Sequence, residues 1–181
     1  MKKILQFIFF MALLVLAVGQ ADAATIELRQ IFYNDSSWDS SSDNAAIATD
    51  KSALLPGQTS AFANFTSYSS GINGIMIDIA GLVSSPSLSD FSFLMGNNSN
   101  VDTWLEAPAP TVFEVRSGQG VSGSDRVAMI WNNNAIENQW LRITVGTTLG
   151  LATPEVFYFG NLVGDVTGDG HVTASDSIFL T

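Results

Sequence analysis

A chain of 181 residues with 17 acidic and 7 basic side chains carries a formal net charge of −10. Nucleic acid and anionic membrane surfaces both require clusters of Lys and Arg, and the sequence holds none, so neither is expected as a partner. With no cysteine and a single histidine, thiol nucleophiles, Ser–His pairs and zinc sites of Cys and His all fail on inventory.

Lys2 and Lys3 open the chain as a positive n-region, residues 4–18 form an apolar h-region, and Ala21, Asp22 and Ala23 supply a small-residue cleavage pattern. This is the signature of a signal peptide over residues 1–23. Gly19, Gln20 and Asp22 interrupt the apolar run too early for a membrane helix, which needs about 20 apolar residues. The expected location is therefore secreted, extracellular or at the cell surface, with no membrane contact after cleavage. About 158 residues remain from Ala24 onward, enough for one domain with a core. Net acidity of this portion serves solubility.

Residues 24–160 alternate short apolar runs with turn-forming residues. In TIELRQIF, Ile26, Leu28 and Phe32 share a face with Gln30. In GIMIDIAG, Ile75, Ile77 and Ile79 oppose Met76, Asp78 and Ala80. FSFLM aligns Phe91, Phe93 and Met95, and TVFEVRS sets Phe113 and Val115 against Val112, Glu114 and Arg116. DRVAMIW, QWLRITV and EVFYFGN continue the period of two, which with its β-branched and aromatic residues predicts strands. APAP (residues 107–110), the Gly- and Ser-rich stretch 117–124 and the Ser-rich stretch 34–44 are loops by composition. Only NAAIATDKSALL has a pattern that admits a helical turn or two. Seven or eight short strands at this spacing predict an all-β, antiparallel β-sandwich, either jelly-roll or immunoglobulin-like.

The last residues, 161–181, differ in kind. Between Asp165 and Asp176 the chain places oxygen-bearing or carbonyl-donating residues at the first, third, fifth, seventh, ninth and twelfth positions: Asp165, Thr167, Asp169, His171, Thr173 and Asp176. These are the ligand positions of a helix-hand-type calcium loop, and Ca2+ is a hard cation that takes six to eight oxygens from such a loop. His171 would contribute its backbone carbonyl, and Asp176 would close the site in bidentate fashion. Gly170 stands sixth, where the chain must turn sharply. Thr173 to Asp176 spells a capping box, so a helix carrying Ile178, Phe179 and Leu180 is expected to begin there. A surface turn that binds nothing is the simpler alternative, but six agreeing positions favour calcium.

The stretch GDVTGDGHVTASDSIFL resembles the first calcium-loop segment of a type I dockerin. Dockerins typically carry two such segments and attach secreted polysaccharide-degrading enzymes and other extracellular proteins to cohesin partners. The resemblance implies the calcium ligands above and places Ala174 and Ser175 where dockerins present recognition residues. It covers one segment, so a cohesin-like partner is implied only if a second segment exists. The stretches FTSYSSGINGIMIDIAGL, GSDRVAMIWNNNAIENQWLRITV and VFYFGNLVGD are similar to an uncharacterised module of secreted bacterial proteins, and no activity comes with that similarity.

A glycoside hydrolase needs only two carboxylates. Glu27, Glu114 and Asp78 fall on strands, but no two form a closely spaced acidic set on one strand face, and Glu114 beside Arg116 reads as a surface ion pair. Of four tryptophans, Trp131 and Trp140 sit in strand patterns and are expected in the core, while Trp104 fits either role. Trp38, in a loop with Asp35, Asp39 and Asp43, fits an exposed sugar-binding platform, although loop packing explains it as well. Those aspartates also suggest a cation, against the plainer reading of a solvated loop. The expected function is a secreted, non-catalytic binding or assembly protein in a polysaccharide-related or cell-surface setting. A carbohydrate-binding module, with a glycan partner, and a polysaccharide hydrolase are the alternatives.

Overall fold

The computed structural model describes residues 22–39 and 42–165. The expected signal peptide, apart from its last residues, and the calcium loop beyond Asp165 lie outside the described residues.

Among the described residues, nine strands build two sheets: β1 (Thr25–Ile31), β2 (Phe65–Thr66), β3 (Gly74–Ala80), β4 (Phe91–Gly96), β5 (Leu105–Glu106), β6 (Val112–Arg116), β7 (Asp125–Ile130), β8 (Trp140–Val145) and β9 (Glu155–Asn161). One sheet has the order β1-β3-β7-β6, the other β2-β9-β8-β4-β5. The only helical elements among the described residues are short 3₁₀ turns. None is long and apolar enough to cross a membrane.

The alternating residues of the two sheets meet in one core. Ile75, Ile77 and Ile79 of β3 and Val127 and Met129 of β7 pack with Phe91 and Phe93 of β4, Leu141, Ile143 and Val145 of β8, and Phe157 and Phe159 of β9. Each fully buried side chain of this size contributes about 1.5–3 kcal/mol, which suits a chain with no cysteine to cross-link it. The faces expected for β3 and β4 are therefore correct.

The face expected for β1 is not. Its pairing with β3 shifts between Ile26 and Leu28, a bulge that inserts one residue and reverses the alternation beyond it. Ile26 and Ile31 consequently both pack on the shared core. Phe32 instead joins Met76 and Ala128 in a separate cluster on the outer face of the four-stranded sheet.

The expectation of purely antiparallel sheets also needs correction, because β2 pairs with β9 in parallel. A parallel neighbour cannot come from a hairpin, and β2 arrives after the long irregular stretch that follows β1. At the junction Phe65 lies against Gly160, where a Cβ would come 2.8 Å from that of Phe65.

NAAIATDKSALL does not form an α-helix; a 3₁₀ turn covers only Asp43–Ala46. Beyond it the backbone runs extended, bridging Phe32 at Ile47 and Tyr158 at Leu54. Sheet edges take the hydrogen bonds that a helix would have satisfied internally.

Candidate functional site

The outer face of the five-stranded sheet carries an aromatic group that the inner core does not use. Phe65, Trp140 and Leu162 are buried there, with Leu54, Trp104 and Tyr158 packed on them. Trp104 ends the β4–β5 connection. Its indole Nε1 donates to the carbonyl of Asn98 (3.0 Å), and its ring meets that of Tyr158 edge-on at 5.8 Å between centroids. Beneath it, Gly96 has no side chain to keep the indole off the strand; a Cβ there would lie 2.7 Å from Trp104 Nε1.

The loop that presents this ring is held by its own polar groups. Asn98 Oδ1 accepts from the Asn100 amide (2.9 Å), and Thr103 Oγ1 donates to the Asn100 carbonyl (2.7 Å). Asn100 Oδ1 accepts from the Asp102 amide at the start of the 3₁₀ turn Val101–Thr103. Short Asn and Thr side chains bond local backbone readily, which is why they fix loops rather than helices.

Two hollows open on either side of Trp104. The first, about 430 Å³, has an apolar wall of Leu54, Leu55 and Pro56 and polar groups from Gln58, Ser60 and Ser99. The second, about 610 Å³, is bordered by Leu105 and by Asn134, Glu137 and Gln139. Asn97, Asn98 and Trp104 line both, so the two are compartments of one cleft. Each falls within the roughly 300–1,000 Å³ of small-molecule sites. Glu137 is the single charged residue among those lining them.

The far wall is anchored from beneath. Asn161, fully buried, accepts from the Asn138 amide (3.0 Å) and donates to the Tyr68 carbonyl (2.9 Å). Asn134 and Asn138 both take positive φ, a conformation that Asn tolerates better than most residues.

The residues singled out from the sequence are scattered by comparison. Trp38 is 62 % exposed, its ring tilted against Tyr33 at 6.1 Å. It borders a smaller hollow with Ala46, Ile47, Thr49 and Asp50. The aspartates around it do not converge: Asp39 accepts from the Asp35 amide, and Asp43 turns away to pair with Arg116. Tyr33 holds its proton more tightly than a free tyrosine, because burial outweighs the hydrogen bond from Thr66. Trp131 is buried in the core as expected, donating its indole N–H to the Pro108 carbonyl (2.7 Å). Trp140, also buried, belongs to the outer aromatic group instead.

The strand carboxylates are committed elsewhere. Asp78 is buried in a two-point ion pair with Arg126, and Glu114 pairs with Arg116. Of the six expected calcium ligands, Asp165 alone is described, and it is partly exposed. Thr167, Asp169, His171, Thr173 and Asp176 lie outside the described residues. Among the described residues, no group of three or more His, Cys, Asp or Glu side chains is placed to hold a metal ion.

Trp104 and its amide surroundings are the site that sequence reasoning left undecided. The signal was the run GNNSNVDTW between two strands, a turn-rich loop ending on an aromatic. No family model matches the chain, and no curated protein or solved structure is significantly similar to it.

Proposed function

We propose that this chain is a secreted, non-catalytic binding module that holds a saccharide in the Trp104 cleft and is attached through a calcium-dependent segment at its C-terminus. The observation that carries the reading is the cleft itself: an aromatic wall, convergent side-chain amides and one carboxylate. A pyranose ring has an apolar face of C–H groups that lies well on an indole, and hydroxyls that both donate and accept. Side-chain amides answer those hydroxyls, since each carries two donors and an acceptor. Hydrolysis needs a pair of carboxyl groups about 5–10 Å apart, and Glu137 has no second acid beside it among the lining residues.

The fold we take to be an immunoglobulin-like β-sandwich rather than a jelly roll. The order β1-β3-β7-β6 follows the A-B-E-D sheet of that architecture, and β9-β8-β4 follows G-F-C. Apolar packing stands in for the inter-sheet disulfide, the chain having no cysteine.

For the C-terminus, the donor set of Asp165, Thr167, Asp169, His171, Thr173 and Asp176 suits Ca2+ in oxygen chemistry and spacing. A cohesin-like partner would require a second such segment.

Retention of the full mature chain in native gels containing neutral polysaccharides (β-glucan, mannan, xylan) tests the saccharide reading. Retardation by at least one, lost in Trp104→Ala and kept in Trp38→Ala, is the expected outcome. Equal migration in every gel, or release of reducing ends by the protein, contradicts it.

A further inference from the structure

Resting on that reading, we infer that the ligand is a neutral, linear glycan whose chain crosses Trp104, with sugar units in both compartments at once. Three observations converge on this.

The first is continuity. Asn97, Asn98 and Trp104 border both hollows, so a chain can pass from one to the other along a single ring and pair of amides. A monosaccharide would fill one side and leave the other unused.

Charge supplies the second. No Lys or Arg lines either compartment, and the protein's net charge is −10. Carboxylated or sulfated chains would meet Glu137 and a repelling field. Uncharged hydroxyls fit the Gln, Asn and Ser side chains that are present.

The third is the difference between the two sides. Leu54, Leu55, Pro56 and Val101 give the first compartment its apolar wall, next to Tyr158 and Trp140. The second, although Met95, Leu105 and Ala135 also line it, is the more polar, with Asn134, Glu137 and Gln139 on its border. A proline-rich peptide would suit the first but would leave the amides and the carboxylate of the second unanswered. A glycan suits both, because every sugar unit has an apolar face and a polar rim. The loop bearing Trp104 is already tied down by Asn98, Asn100 and Thr103, so little ordering cost falls on binding.

Isothermal titration of the full mature chain with gluco-, manno- and xylo-oligosaccharides of one to six units tests the inference. In the series that matches the retained polysaccharide, affinity should climb by about tenfold or more between one and four units and then level off. Two variants probe the sides separately: Ser60→Ala with Ser99→Ala in the first compartment, and Gln139→Leu in the second. Each should weaken the tetrasaccharide roughly three- to tenfold, the scale of one hydrogen bond, with unchanged melting temperature. A monosaccharide bound as tightly as the hexasaccharide, or an affinity that responds to only one variant, overturns the two-sided chain but leaves saccharide binding standing. Preference for polygalacturonate, or displacement of the oligosaccharide by decaproline with higher affinity, overturns the neutral-glycan assignment. Absence of heat with every saccharide overturns both this inference and the reading beneath it.

Discussion

Arg126 grips Asp78 with two parallel hydrogen bonds across β3 and β7, Nε to Oδ1 at 2.7 Å and Nη2 to Oδ2 at 2.8 Å. Both side chains are buried, and each makes a further bond: Asp78 Oδ2 also accepts from the Val121 amide, and Arg126 Nη1 donates to Asn44 Oδ1. One pair thus ties two strands, the β6–β7 loop and the 3₁₀ turn at Asp43–Ala46 together. Removing one partner strands a buried charge, so Asp78→Ala should cost about 3–5 kcal/mol. Asp78→Leu combined with Arg126→Met should recover most of that loss, because no charge is then left alone. Urea denaturation of the three proteins checks this, and a single-variant cost below about 1 kcal/mol would contradict it.

Gly96→Ala should damage binding far more than folding. The new methyl meets the Trp104 ring, and the indole must leave the strand, taking the wall shared by both compartments with it. Saccharide affinity should fall at least about tenfold, on the scale of losing a well-placed aromatic contact. The melting temperature should change by only a few degrees, since the shared core does not include Trp104. Gel retention and calorimetry of the same preparation separate the two effects.

Acid should weaken the link between Asp90 and the β8–β9 connection. Thr148 Oγ1 donates to Asp90 Oδ1 (2.6 Å), and Ser87 donates to Oδ2 through both its amide and its hydroxyl. The Thr148 hydrogen bond, with the Ser87 bonds behind it, holds the Asp90 carboxyl below its usual range despite some desolvation. A lowered folded-state value means stabilisation that is complete above the ordinary carboxylate range, near pH 4, and is lost as pH falls through the lowered value. Thr148→Val should therefore be less stable than the parent at pH 7, and the gap should close as pH falls below the ordinary carboxylate range. Solvent screening keeps the difference under about 1 kcal/mol. A gap that widens in acid would contradict the assignment.

Calcium should act on the C-terminal segment and leave the sheets almost untouched. Titration of the full chain, followed by NMR, should shift resonances of residues 165–181 with an affinity near 10⁻⁴–10⁻³ M, the weak extracellular range. Asp165→Ala should abolish those shifts. Melting of the two sheets with and without chelator should agree to within a degree or two. No change at millimolar calcium, or equal change in the variant, removes the metal site.

How much was legible beforehand follows from which interactions are local. Ile75, Ile77 and Ile79 declare their face by period two, and the structure buries them together. β1 has the same kind of pattern, but the bulge after Ile26 is a property of its pairing with β3, not of its own residues. β2 has two residues, too few for any periodicity, and its parallel pairing depends on Gly160, about a hundred positions away. The Trp104 cleft was illegible for a similar reason. Gln58 comes from the β1–β2 connection, Asn97 from β4–β5, and Asn134 and Gln139 from β7–β8, and only the stacking of strands brings them around one ring. Trp38 looked more like a platform because its acidic neighbours were visible in the sequence, whereas Asp43 turns out to serve Arg116.

The four tryptophan indole N–H resonances give the most direct test of the central claim. In a spectrum of the full chain titrated with the tetrasaccharide of the series that the gels and calorimetry select, the Trp104 signal should move most. Those of Trp38 and of Trp131, one at the far loop and one locked on Pro108, should stay in place. Movement of Trp38 with Trp104 unmoved would transfer the site to the loop and contradict the account.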